Sequence, residues 1–278
     1  MTDINLEAFN NPEVAGHYSR IDYITPCEKL VFEKYVVPGG EVLDLGVGGG
    51  RTTSLLSSRA GAYVGLDYAA TMVELCQLKF PSLKFFEGDA VDLSRFADGS
   101  FQTIVMAFNG IDTLSERSRQ SCLRECSRVL RPNGILIFSS HNPRAVLVIP
   151  KWNQQRVQEY ACRAIGNHGS AMPIALAVFT AAAALRAYLR SAWISLRRTS
   201  RRLFTPLFWR GEGYMLDPSH GGLIMHYATP DRVITEAGEF DFSLCEVRGD
   251  DYPATSHSLT TDWYYYVFSK ANADRGDL

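Results

Sequence analysis

Glu41-Val-Leu-Asp-Leu-Gly-Val-Gly-Gly-Gly-Arg-Thr-Thr53 decides how this 278-residue chain is read. Val42, Leu43 and Leu45 form a short apolar run of strand character that ends in a glycine-rich turn, and a helix is expected to start near Arg51. Glycines at 46, 48 and 50 remove every Cβ that would keep a ligand off the backbone. The unsatisfied N–H groups of the following helix then point at that ligand. This is the geometry of a nucleotide-type site at the carboxyl edge of a parallel sheet. A dinucleotide fingerprint needs a glycine at the sixth position of the turn, and Arg51 stands there instead. The spacing here is D-x-G-x-G-x-G, with Asp44 inside the strand end.

Downstream, strand-like and helix-like runs alternate. Ala62-Tyr-Val-Gly-Leu66 reads as a second strand and ends at Asp67. An acid about 20 residues past the glycine turn is placed to accept hydrogen bonds from both hydroxyls of a ribose. Leu83–Phe86 reads as a third strand before Glu87-Gly-Asp-Ala90, and Phe101–Ala107 as a fourth before Phe108-Asn-Gly-Ile-Asp112. Helix signals run from Ser115 to Leu130. The turn Arg131-Pro-Asn-Gly134 then leads to a fifth strand, Ile135–Phe138.

These pieces, in this order, resemble the class I S-adenosylmethionine (SAM)-dependent methyltransferases. The likeness is close from Val31 to Asn142 and looser at Tyr227-Ala-Thr-Pro230 and in the runs Phe242–Val247 and Trp263–Phe268. It implies an α/β, Rossmann-like fold: a seven-stranded, mostly parallel sheet with the last strand antiparallel, an N-terminal helical lid, and a helical insertion between strands five and six. The corresponding divisions are 1–37 (lid), 38–143 (SAM-binding core), 144–225 (insertion and substrate cap) and 226–270 (completion of the sheet). The resemblance implies SAM as cofactor. Gly46, Gly48 and Gly50 would serve its methionine end, with Ala107 and Phe108 flanking it. Asp67 would hold the ribose, and Asp89 and Ala90 the adenine, with Tyr68 and Met72 lining the adenine slot. Tyr18 in the lid would face the methionine portion or pack the lid onto the core. Arg51 would orient the cofactor carboxylate or cap the turn.

The acceptor side is read from the loops that leave the sheet. A hydroxyl acceptor benefits from a base, and histidine is the natural one near neutral pH. His226 is the first choice, because its segment should fold back over the cleft. His141, directly after strand five, is the second. Asn109, Tyr214, Asp217 and His220 are the expected substrate contacts. O-methylation of a small molecule or a glycan- or lipid-linked metabolite is the first expectation. N-methylation of an amine or amino sugar is the alternative, and a non-catalytic SAM-binding or membrane-surface protein is a third reading. No Asn-Pro-Pro-Tyr or Asp-Pro-Pro-Tyr run follows the fourth strand, and no Pro-Cys pair stands there, which argues against DNA amino- and cytosine-methylating enzymes.

Composition narrows the rest. With 28 Lys+Arg against 30 Asp+Glu, no nucleic-acid partner is expected. The six scattered cysteines include no C-x-x-C pair, so Cys122 and Cys126 are read as helix packing and no metal is expected. The start, Met1-Thr-Asp-Ile, has no basic n-region or apolar h-region. A cytoplasmic location is expected, with the inner face of a membrane as the alternative. Residues 175–204 read as a basic amphipathic segment, with Arg186, Arg190, Arg197 and Arg201 on one side. Three readings of it stay open: a cap over the cleft, peripheral membrane contact, or binding of an anionic substrate. Oligomeric state is not legible.

Overall fold

The computed structural model describes residue 5 and residues 20–143, 211–216, 224–254 and 261–271. Tyr18, Asp217, His220 and the 144–210 segment, with Arg186, Arg190, Arg197 and Arg201, lie outside the described residues.

The core alternates strand and helix: α1 (Pro26–Tyr35), β1 (Glu41–Leu45), α2 (Thr53–Arg59), β2 (Ala62–Asp67), α3 (Ala70–Lys79), β3 (Lys84–Glu87) and β4 (Phe101–Met106). A 3₁₀ turn (Gly110–Thr113), α4 (Glu116–Val129) and β5 (Leu130–His141) follow. After the gap come β6 (Glu212–Leu216), β7 (Ile224–Ala228), α5 (Pro230–Gly238), β8 (Phe242–Gly249) and β9 (Trp263–Lys270). Strands β3, β2, β1, β4 and β5 pair in parallel, in that order. β9 runs antiparallel along β5, and β8 antiparallel along β9. The order of strands reverses between β1 and β4, which opens a crevice at their carboxyl ends.

Helix boundaries follow local chemistry. α1 begins with a capping box: the Thr25 hydroxyl accepts from the Glu28 N–H, and the Glu28 carboxylate accepts from the Thr25 N–H, with Pro26 in the first turn. Ser115 caps α4 through the Ser118 N–H. Thr229 precedes α5 without a side-chain cap bond, and Pro230 stands in the first turn of that helix.

Alternation along the central strands separates two apolar layers. Leu43, Leu45, Ile104, Met106, Leu136, Phe138, Tyr266 and Phe268 face α4 and α5, where Leu123, Cys126, Val129 and Val233 meet them. Val42, Val105, Ile137, Tyr265 and Val267 face the other way, onto α1, α2 and α3 through Phe32, Leu56, Val73 and Cys76. Each fully enclosed side chain of this size contributes about 1.5–3 kcal/mol. α1 is thus packed into one apolar layer of the fold.

Two features differ from the sequence reading. Arg131–Gly134, read as a turn, lies within the twelve-residue β5. Asn133 takes a left-handed conformation (φ 60°), and the register against β4 slips between Phe101 and Thr103, so the turn residues survive as an irregularity inside a strand. Among the described residues the sheet also has nine strands where seven were expected. β6 and β7 form an antiparallel hairpin, and Tyr227 pairs in parallel with His141 at the tip of β5. Glu212–Leu216, assigned to a helical insertion, is therefore a strand. Five residues beginning Glu-Gly are too short a run for periodicity to separate strand from helix.

Candidate active site

The glycine turn is braced from beneath. Asp44 is fully buried, and its carboxylate accepts hydroxyls from Thr52 (2.7 Å) and Tyr63 (2.8 Å). Burial pushes its pKa up to about 6, against the pull of those two hydrogen bonds. Gly46 and Gly48 have φ of +65° and +54°; a Cβ on Gly46 would meet nothing within 4 Å, and one on Gly48 only the Gly46 carbonyl at 4.0 Å. Bare backbone there faces open space. Gly50 faces the protein: a Cβ would sit 2.7 Å from the Phe80 ring and 3.2 Å from Cys76 Sγ. It is a packing glycine, so the three glycines expected at the methionine end divide into two at the hollow and one against α3.

Asp67 ends β2 beside that hollow. Its Oδ2 accepts the Gly48 N–H at 2.8 Å and its Oδ1 the Ala69 N–H at 2.9 Å. Burial raises its pKa, and these N–H groups oppose the shift. Each oxygen keeps a lone pair for a further donor. Tyr68 follows, half-buried. Met72 is enclosed with Ala69 and Leu75 rather than open to a slot. Asp89 is exposed at the rim, where it accepts the Val91 N–H at 3.1 Å, and Ala90 is buried beside it. Across the crevice, Ala107 is buried and Phe108 half-buried at the end of β4. An adenosyl group suits this hollow: side-chain-free turn, acid at the end of β2, short polar rim after β3.

Arg51 is engaged by the protein itself. Its guanidinium forks onto the carboxylate of Glu28 in α1, donates to the Tyr23 carbonyl at 3.1 Å and lies 4.6 Å from the Phe108 ring centroid. Arg51 and Glu28 are both buried.

The acceptor side gathers around Asp112, which the sequence reading passed over. Its carboxylate is fully buried and accepts the Ser140 hydroxyl, the His141 N–H and His141 Nδ1–H, each at 2.7 Å. Burial would raise the pKa of Asp112, but His141 and the neighbouring His226 outweigh it and hold the carboxyl at about 2. With Nδ1 donating to Asp112, His141 Nε2 is an acceptor, and Asn109 Nδ2 lies 3.3 Å from it. Phe108 and Asn109 both adopt left-handed backbone conformations (φ 56° and 62°), and the Asn109 N–H is fixed by Ser139 Oγ at 2.7 Å. Such a pair at a strand end marks strain held in place by its surroundings. The His141 ring stacks obliquely on Tyr227, 4.7 Å between centroids.

His226, the first-choice base, lies deeper: it is 2% exposed, whereas the His141 side chain is 15% exposed. It stands 3.9 Å from Asp112 and 3.9 Å from Glu212, charge-pair rather than hydrogen-bond distances. Burial lowers its pKa, yet the two carboxylates prevail and the net shift is upward. Tyr214, expected at the substrate, has its hydroxyl on Arg119 (2.9 Å) and the Leu114 carbonyl (3.3 Å). Asn5 staples the 3₁₀ turn to β7, donating to the Thr113 and Ile224 carbonyls and accepting the Ile224 N–H. Among the described residues no group of three or more His, Cys, Asp or Glu side chains is spaced to hold a metal ion. No helix among them is long and apolar enough to cross a membrane.

Glu28 and Asp112, the two acids sequence reasoning missed, sit in plain polar contexts. Only their full burial, Glu28 in the first turn of α1 and Asp112 in the 3₁₀ turn, gives them away, and that is a tertiary property.

Comparison with known proteins agrees with this geometry. Residues 42–134 match a family model described as a methyltransferase domain. The chain is similar to a demethylmenaquinone methyltransferase of Thermotoga maritima, 39% identical over 100 residues, covering 35% of this chain and 42% of that protein. It is also similar to an arsenite methyltransferase of Aquipseudomonas alcaligenes, 32% identical over 143 residues, covering 46% and 38% respectively. It thus spans about two fifths of the length of these relatives. In fold, it matches the CcbJ methyltransferase of Streptomyces caelestis with a TM-score of 0.58 at 16% identity, over 95% of this chain and 98% of that one. The braced glycine turn, the acid at the end of β2 and these matches agree on a methyltransferase domain over residues 42–134, set in a fold shared with SAM-dependent methyltransferases.

Proposed function

We propose that the chain transfers a methyl group from SAM to a hydroxyl of a small-molecule or glycan- or lipid-linked acceptor, with His141 as general base. The observation that carries this reading is the Asp112–His141 pair at the carboxyl edge of the sheet, with Nε2 turned to the Asn109 amide. SAM supplies a methyl group already activated by its sulfonium. Asp112 takes the Nδ1 proton of His141 in a hydrogen bond and so fixes the tautomer that leaves Nε2 free of a proton. Nε2 accepts the proton of the acceptor hydroxyl, and the Asn109 amide marks where that hydroxyl stands. Gly46, Gly48 and Asp67 hold the donor, with Asp89 and Ala90 at its adenine end and Ala107 and Phe108 along its methionine. Alignment of acceptor and methyl group supplies much of the acceleration. His226 is too enclosed to meet an acceptor, so the role first given to it passes to His141.

The names of the relatives speak of demethylmenaquinone and of arsenite, so the likeness does not choose an acceptor. Peripheral membrane contact through 175–204 belongs to the lipid-linked form of this reading. Liposome flotation tests it: replacing Arg186, Arg190, Arg197 and Arg201 by alanine should abolish binding.

The base is tested by His141→Gln. Binding of S-adenosylhomocysteine should match the wild type, while turnover of hydroxyl acceptors falls by about 10²–10⁴-fold. An amine acceptor needs no base, so undiminished transfer to an amine by His141→Gln would favour N-methylation and contradict the role given to His141.

A further inference from the structure

We propose that Arg51 and Glu28 set the affinity for SAM without touching it, by clamping the Phe108 ring against the cofactor crevice. The proposal rests on the cofactor reading above and makes Arg51 and Glu28 positioning residues.

Phe108 needs a clamp. A bulky residue at φ 56° is disfavoured by roughly 1–3 kcal/mol and persists only where neighbours over-determine it. Two neighbours hold its ring. The Arg51 guanidinium lies 4.6 Å from the ring centroid, and Trp263 meets it edge-on at 5.7 Å. Arg51 is itself immobilised. Its side chain is 8% exposed, forks onto a Glu28 carboxylate that is 0% exposed, and donates to the Tyr23 carbonyl. Glu28 cannot swing away, because its Oε2 accepts the Thr25 N–H of the α1 capping box at 3.0 Å. A continuous chain of contacts therefore runs from the start of α1 to the wall of the crevice at the end of β4.

The same fork could exist for stability alone, since a buried ion pair holds its segments together whatever lies beside it. What separates the clamp is geometry. Arg51 follows the glycine turn directly, and its guanidinium both forks onto Glu28 and lies over the half-buried Phe108 ring at the end of β4. Only an arginine does both tasks: its planar fork binds the carboxylate in two places and its face covers a ring.

The experiment is calorimetric titration of S-adenosylhomocysteine into the full chain, with thermal unfolding recorded for each protein to confirm a folded state. Arg51→Lys keeps the charge and loses the fork and the face. Phe108→Leu leaves the Arg51–Glu28 pair intact and supplies a variant that folds even if the pair is essential to folding. Each should weaken binding by roughly 3- to 30-fold. The double variant should bind no more weakly than the worse single one, because both substitutions remove the same ring placement. Wild-type affinity in a folded Arg51→Lys would reduce the pair to a structural role and overturn the clamp. So would losses that multiply in the double variant, which would mean that Arg51 acts on the ligand by another route. Absence of heat with the wild-type chain would instead overturn the cofactor reading, and the clamp with it.

Discussion

Asp67 shows how closely support and binding are joined at the level of one residue. The carboxylate that is proposed to hold the ribose also accepts the Gly48 and Ala69 N–H groups, so it shapes the turn it serves. Deleting it leaves two N–H groups short of a partner, at about 1–3 kcal/mol each where they are buried. Asp67→Asn is the cleaner probe: it keeps one acceptor oxygen and most of the turn. It should lower SAM affinity by about 10- to 100-fold, the scale of a lost charged hydrogen bond, with a small change in Tm. Calorimetry and a melting curve on one sample check both halves. The place of Asp67 beside the glycine turn was legible in the sequence because its distance from that turn is set by one βαβ unit. The roles of Gly50 and Arg51 were not. Both are settled by what lies behind the turn, Phe80 for one and Glu28 for the other, and neither neighbour is fixed by spacing along the chain.

Among the elements, the β6–β7 hairpin departs furthest from the sequence reading. It extends the sheet beyond the tip of β5 and brings His226 near Asp112, with Glu212 also within 3.9 Å of its ring. Three shifts meet there, and they give its stability a definite pH window. Asp112 and Glu212 are held at about 2, below their ordinary 3.8 and 4.5, so their contributions are complete above those ordinary values and vanish as pH falls toward 2. His226 is raised above 6.5, so its contribution is complete below 6.5 and is lost as pH climbs through the raised value. The hairpin should be firmest between about pH 4.5 and 6.5. Hydrogen exchange of the β7 amides across pH should show protection falling on both sides of that window, and His226→Gln should remove the alkaline loss while keeping the acid one. Exchange that is flat from pH 5 to 9 in the wild type would contradict the raised state of His226. The limits of α4, by contrast, were close to the sequence reading, because Ser115 carries its own start signal.

For the molecule as a whole, the two apolar layers follow from alternation along β1, β4, β5 and β9, which is why the fold class is legible in the sequence. The acceptor side was not, since it draws on residues 109, 112, 141 and 226, brought together only when the 3₁₀ turn, β5 and the hairpin meet. Leu123 lies in the layer between α4 and the sheet, on the face remote from α1. Leu123→Ala should cost about 2–5 kcal/mol in denaturant unfolding and leave the affinity for S-adenosylhomocysteine of the remaining folded protein unchanged. A loss of affinity in step with stability would mean that the crevice and the core are not separable in this fold.

The central claim is that the hollow between the glycine turn and Asp67 holds an adenosyl sulfonium. Calorimetric titration of the wild-type chain with SAM tests it most directly. A one-site isotherm that Asp67→Asn weakens is expected; no heat with SAM, together with a clean isotherm for NAD or ATP, would contradict the adenosyl reading of the hollow.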